Sequence, residues 1–235
     1  MARSIPSDRF PQLIEAATAV FVERGFARTQ MEDVAKRLGV AKGTLYGYVE
    51  SKEALFDAAV RFADGHLELP TPDALPLRAP PAGATVGYIQ TRVMTEATAL
   101  KLARVMQGSL HIRGVERELT EVLTDLYESI ARNRRALKLI DRCAVDFPEL
   151  AAVWFGGGRR AQVDLLTQLL ARRARRLRKL GSVEVVARAL LETLVFWAMH
   201  RHFAPLADPD QPGFGPDEAS VELEIVQLLV RGLLP

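Results

Sequence analysis

The chain has 235 residues, 49% of them hydrophobic and 26% charged, which is globular composition and excludes the low-apolar, charge-rich signature of disorder. Its 31 Lys and Arg against 29 Asp and Glu leave a net charge of +2, so bulk charge announces no polyanionic partner and any nucleic-acid site must come from where the cations sit. The one cysteine, Cys143, excludes an internal disulfide framework and Cys-rich zinc sites. No apolar run approaches the roughly 20 residues of a membrane span. The opening Met1-Ala2-Arg3-Ser4-Ile5-Pro6 lacks the apolar core of a signal peptide. A soluble cytoplasmic protein is expected, with one large or two small domains.

Taken in chain order, the elements are helical. Residues 8–25 place Phe10, Leu13, Ile14, Ala17 and Phe21 on one stripe of an amphipathic helix, with Asp8 as N-cap and Gly25 as a left-handed stop. Thr29-Gln30-Met31-Glu32 fits a capping box led by Thr29. It opens a short helix with Met31, Val34, Ala35 and Leu38 on one face, closed by Gly39. A second short helix is expected over about 42–49, with Leu45 and Val49 on its core side. Ser51 then caps a helix through about residue 64, with Leu55, Phe56, Ala59 and Phe62 inward. Prolines 70, 72, 76, 80 and 81 read as a connection, because proline cannot continue a helix interior.

Beyond that connection, helical periodicity covers about 84–107, 115–145, 148–179, 183–203 and 216–234, and Gly156-Gly157-Gly158 is expected to break or loosen the third of these. A second proline cluster (205, 209, 212 and 216) precedes the last segment. No alternating strand pattern and no solenoid-length repeat occurs. The expected fold is all-α, with a helix-turn-helix head over 7–67 and a larger helical domain over 84–235.

The head carries the chemistry. Two short helices joined by a tight glycine turn, at about 30–49, follow the plan whose second helix enters a major groove. Lys42, Thr44, Tyr46 and Tyr48 project from that second helix, and Gly43 allows close approach to a base edge or phosphate. Lys52 falls in the first turn of the next helix, where free amides and the dipole favour an anion.

At these residues the sequence resembles the TetR/AcrR family of bacterial transcriptional regulators. The resemblance rests on Gly25-Phe26, the Thr29-led helix, Leu38-Gly39-Val40, Gly43-Thr44-Leu45-Tyr46 and Ser51-Lys52-Glu53 with Leu55, and covers about residues 8–64. Farther on, Phe147-Pro148-Glu149-Leu150 and Val230-Arg231-Gly232-Leu233-Leu234-Pro235 match in style. Carried over by position, Thr29, Lys42, Gly43, Thr44, Tyr46, Tyr48 and Lys52 contact DNA. The resemblance also implies a homodimer, paired through two penultimate long helices, that reads a palindromic double-stranded operator. It implies a repressor released by a small-molecule effector bound in the C-terminal domain. Two departures stand out: Ala41 replaces the usual Ser that caps the recognition helix, a loss of about 1 kcal/mol, and Val49 replaces a usual aromatic.

Tyr88, Met106, His111, Tyr127, Trp154, Phe155 and Trp197 are candidates to line an effector cavity, since ligand pockets are apolar and aromatic with a few polar groups; core or interface packing is the alternative for each. Cys143 reads as a small buried hydrophobe. The run Arg172 to Lys179 reads as the solvated end of a helix, where cations suit the dipole; a non-specific, architectural hold on nucleic acid is the alternative. His200 and His202, two apart, lie on different helix faces and make no metal pair. No cofactor is expected, and neither is catalysis. The chain lacks His-Glu-x-x-His, a Walker loop and Gly-x-Ser-x-Gly, and its glycine triplet follows no strand. A ligand-binding helical protein without regulatory DNA binding is the remaining alternative.

Overall fold

The computed structural model describes residues 9–203 and 217–235; the proline cluster at 205–216 lies outside the described residues. Helices run in the order α1 (Arg9–Arg24), α2 (Met31–Leu38), α3 (Lys42–Leu45), α4 (Lys52–Ala63), α5 (Ala84–Ala99), α6 (Lys101–Met106), α7 (Val115–Arg132), α8 (Arg134–Ala144), α9 (Pro148–Ala151), α10 (Arg160–Arg173), α11 (Val183–Ala198) and α12 (Glu218–Leu233). The fold is all-α, and among the described residues the sole extended pairing is a parallel bridge between Val49 and Leu77. No helix of the described residues is long and apolar enough to cross a membrane.

Two compact units result. Met1–Gln90 with Arg135–Trp154 forms one, and Thr91–Arg134 with Phe155–Pro235 the other. In the first unit the anticipated stripe of α1 (Phe10, Leu13, Ile14, Ala17 and Phe21) is buried together with Leu55, Phe56 and Ala59 of α4. The proline-rich connection is not a free linker. The Leu77 amide donates to Tyr48 O (2.8 Å) and the Leu77 carbonyl accepts from the Glu50 amide (2.9 Å), strapping it onto the residues behind α3. Val49, fully buried, is the bridged residue.

Capping differs from expectation by one residue. Gln30, in extended conformation, is the N-cap of α2, and Asp33 reaches back to accept from its amide (2.9 Å). The Thr29 hydroxyl instead donates to Gly25 O (2.6 Å). Ser51 caps α4 as anticipated, accepting from the Ala54 amide (3.2 Å).

Three expected long helices are interrupted, each for an identifiable reason. The segment 84–107 breaks at Leu100 because the Asp125 carboxylate takes the Lys101 amide (2.7 Å) and starts a new helix there. The segment 115–145 breaks at Asn133, whose side-chain amide donates to Ser129 O (3.0 Å) and ends α7. The glycine triplet sits in a wider, π-helical stretch, Ala152–Arg159, between α9 and α10, the kind of bulge that accommodates poor helix formers.

The second unit packs α6, α7, α10, α11 and α12 around one core. A polar clasp fixes the start of α12. Glu218 accepts from the Tyr127 hydroxyl (2.6 Å) and from Arg201 (2.8 Å), and also faces Arg134 (3.2 Å) and His202 (3.0 Å). The Arg201 side chain is 3% exposed. Burial pushes the Glu218 carboxyl up, but the Tyr127 hydroxyl with Arg134, Arg201 and His202 outweighs it and holds Glu218 below its ordinary 4.5. Burial, with Arg134 and Arg201, holds His202 below its ordinary 6.5. Glu222, beside Glu128 and Glu218, is pushed upward by burial and those two charges.

The clasp predicts an acid-sensitive unit. The native state takes up a proton at His202 less readily than the unfolded chain does, so stability falls as pH drops below 6.5. The contribution of Glu218 persists until pH falls below 4.5 and is then lost. Glu218→Gln leaves Arg201 buried without its counter-charge. It is expected to cost about 3 kcal/mol, the low end for a broken buried pair because Glu218 is partly exposed. Thermal melts across this pH range check both: the variant melts lower near neutrality and lacks the lower acid step.

Candidate nucleic-acid interface

The presentation of α3 follows from its anchoring. Leu45 and Val49 are 0% exposed and Tyr48 is 2% exposed, so the inner side of residues 45–49 is locked into the first unit, with the Tyr48 ring 6.4 Å from that of Phe10. The outer side is left to solvent: Lys42, Gly43 and Thr44 are exposed, and Tyr46 is 44% exposed. At Gly43 a side chain would meet nothing within 4 Å and the backbone is not left-handed. The fold itself does not demand glycine there, and the space it leaves opens outward. Ala41, the N-cap of α3, provides no side-chain cap, as its replacement of serine led us to expect.

Three of the seven sequence candidates behave differently. Tyr48 is turned inward by its place beside Leu45 and Val49. Thr29 is 1% exposed, its hydroxyl spent on Gly25 O. Lys52 directs its ammonium into its own domain: Nζ donates to Phe26 O (3.0 Å), Thr29 O (3.2 Å) and Ala27 O (3.4 Å) and lies 4.4 Å from the Phe26 ring centroid. The structure therefore brings Lys42, Gly43, Thr44 and Tyr46 together on one outward face, and makes Thr29, Tyr48 and Lys52 its supports.

The support extends to residues the sequence reading did not connect with this head. Phe26 lies against Phe21, Phe56 and Phe147, with centroids 6.0, 5.2 and 4.5 Å apart. Asp146 Oδ2 accepts from the Ala27 amide (2.9 Å). Gly25 is left-handed (φ +80°), and a Cβ there would sit 2.6 Å from Asp146 Oδ2, so glycine is required twice over, by backbone conformation and by this close approach. Cys143 is fully buried, and desolvation pushes its thiol up to about 12, which suits packing and not reactivity. Phe26 and Phe147 are more than a hundred residues apart, and periodicity carries no signal at that range.

The effector-cavity candidates divide between the two units. Tyr88 and Trp154 belong to the first unit, and Met106, His111, Tyr127, Phe155 and Trp197 to the second. Several spend their polar atoms locally: Tyr88 on Asp64, Trp154 Nε1 on Asp141 (3.0 Å) and Tyr127 on Glu218. Phe155 is 40% exposed. No group of His, Cys, Asp and Glu among the described residues is arranged to hold a metal ion.

Residues 13–59 match the family model described as bacterial regulatory proteins, tetR family. These residues are a TetR-family domain. Over 50 residues the chain is 46% identical to the uncharacterized HTH-type transcriptional regulator YhgD of Bacillus subtilis (strain 168), covering 21% of this chain and 26% of that protein. Over 55 residues it is 36% identical to the HTH-type transcriptional repressor KstR2 of Rhodococcus jostii (strain RHA1), covering 23% and 27%. The match thus spans about a quarter of the length of these curated relatives. The TetR-type fold extends further: the solved ketosteroid transcriptional regulator KstR2 of Mycobacterium tuberculosis superposes with a TM-score of 0.54 at 19% identity, covering 100% of both chains.

Because Lys52 serves the TetR-type head as an internal tie, Lys52→Ala is expected to lower stability by about 1–3 kcal/mol, through the loss of its charge-assisted bonds to the turn's carbonyls. Denaturant unfolding checks this; an unchanged midpoint would return Lys52 to the surface role that its position suggested.

Proposed function

We propose that the protein is a sequence-specific DNA-binding transcriptional regulator, working as a homodimer on a palindromic operator, in the cytoplasm. In this reading residues 7–67 form the DNA-binding domain and 84–235 the effector-binding and dimerisation domain. The observation that carries it is the outward face of Lys42, Gly43, Thr44 and Tyr46, held rigid from behind by Leu45, Tyr48 and Val49. Such a face suits a major groove: the ammonium takes a phosphate, the hydroxyls of Thr44 and Tyr46 reach phosphates or base edges, and Gly43 admits the backbone closely.

One head of this size binds weakly, and two spaced by about 34–36 Å read two half-sites in successive major grooves. Support for a second copy comes from α11, which leaves Val185 (66% exposed), Ala189 and Phe196 (46% exposed) in solvent, an apolar stripe that a matching helix covers. The regulator is read as a repressor because proteins similar to its head bear that name. Release by an effector requires a ligand bound more tightly by the DNA-incompetent state, and a coupling of about 1–3 kcal/mol weakens operator binding roughly 5–150-fold.

Selection of bound sequences from random duplex DNA is expected to return a palindrome, and Tyr46→Ala to weaken binding to it by about tenfold or more with an unchanged melting temperature. Retention of full affinity would move the contact face elsewhere. Phe196→Asp is expected to yield monomers in sedimentation and to lose operator affinity with them; a dimer that survives places the interface away from α11.

A further inference from the structure

The arginine run that the regulatory reading leaves unused forms one wall of a cleft in the second unit. Residues 171–176 make that wall, and Ile112, Gly114, Val115 and Glu118, at the start of α7, make the other, around a volume of about 650 Å³. The wall is anchored by one buried pair: Glu118, 3% exposed, accepts two bonds from Arg173, Nε at 2.6 Å and a second nitrogen at 2.8 Å. Arg172 is tied back to Met106 O (3.2 Å). Arg175 and Arg176 line the cleft, are exposed, and have no ion-pair or hydrogen-bond partner among the described residues.

Charge decides what such a cleft accepts. Four arginines (Arg172, Arg173, Arg175 and Arg176) and one carboxylate, Glu118, line the cleft, and Arg173 already neutralises that carboxylate. The α7 amino-terminus at Gly114 adds the positive end of an 18-residue helix. Planar guanidinium forks match phosphate oxygens in pairs, and Ile112 and Val115 offer a small apolar floor beside them. The volume lies in the range of small-molecule sites, about 300–1,000 Å³, enough for a ligand of nucleotide size and far more than a lone ion needs.

We propose that this cleft binds a small molecule bearing a diphosphate or longer phosphate chain, with Arg175 and Arg176 gripping the phosphates and the Glu118–Arg173 pair holding the wall in place. The lining residues all belong to the second unit, and ligand binding is measured without operator. Inorganic pyrophosphate and ADP, titrated calorimetrically into the full chain, test it, with adenosine as the uncharged control. Both phosphates are expected to bind and adenosine not to. Arg175→Ala with Arg176→Ala, both exposed and peripheral to the core, is expected to weaken pyrophosphate binding by about tenfold or more at an unchanged melting temperature. Three results overturn the proposal: no binding of either phosphate at millimolar concentration, equal binding by the double variant, or a double variant that loses affinity for duplex DNA of unrelated sequence while neither protein binds pyrophosphate. The last assigns the run to DNA backbone, and a duplex titration read separately keeps that outcome distinct from failure of the regulatory function.

Discussion

The turn between α1 and α2 is where the first unit is decided. Gly25 turns left-handed into space that Asp146 Oδ2 occupies, Asp146 takes the Ala27 amide, and Lys52 collects three carbonyls of the same turn while resting on Phe26. A chain reversal of six residues, 25–30, leaves several backbone groups without helical partners, and each unpaired buried group costs as much as a lost hydrogen bond. Here those groups are answered by side chains from α4 and from the segment after α8. The Phe21, Phe26, Phe56 and Phe147 rings then exclude water from the junction, which strengthens the charged bonds at its edge. The angle between α1 and α2, and with it the attitude of α3, rests on this junction.

That arrangement separates presentation from support. Residues 42–46 carry the surface, and almost everything that makes the surface rigid lies elsewhere in sequence: Phe10 against Tyr48, Leu77 bridged to Val49, Ser51 capping α4. A recognition face on a helix of four residues is too short to hold its own conformation, since isolated helices below about 12–15 residues are marginal. Tertiary contacts supply what local propensity does not.

Much of this was legible beforehand, and what was not has a common cause. The α1 stripe, the Ser51 cap, the Gly25 stop and each motif of the resemblance to TetR-type heads depend on residues near one another in sequence, where spacing is informative. The assignment of Lys52 to phosphate followed the same local logic, a lysine in the first turn of a helix; it missed carbonyls more than twenty residues upstream. The break at Leu100 was likewise hidden, because Asp125 intercepts the Lys101 amide from another helix; the break at Asn133 is local, a side-chain bond back to Ser129 O. The seven aromatic and polar candidates for a cavity were chosen by residue type alone. Type does not say which unit a residue joins or which carboxylate its hydroxyl meets, as Tyr127 on Glu218 and Tyr88 on Asp64 illustrate.

The strap at Leu77 has a mutational corollary. Its grip on the segment behind α3 is made by main-chain amides and carbonyls, not by any particular side chain. Substitution at 77 is therefore nearly free, with one exception: proline there, or at Glu50, deletes a donor and opens the bridge. In a stretch already dense with prolines, Leu77 is thus the position where one more imino acid would cut the strap itself.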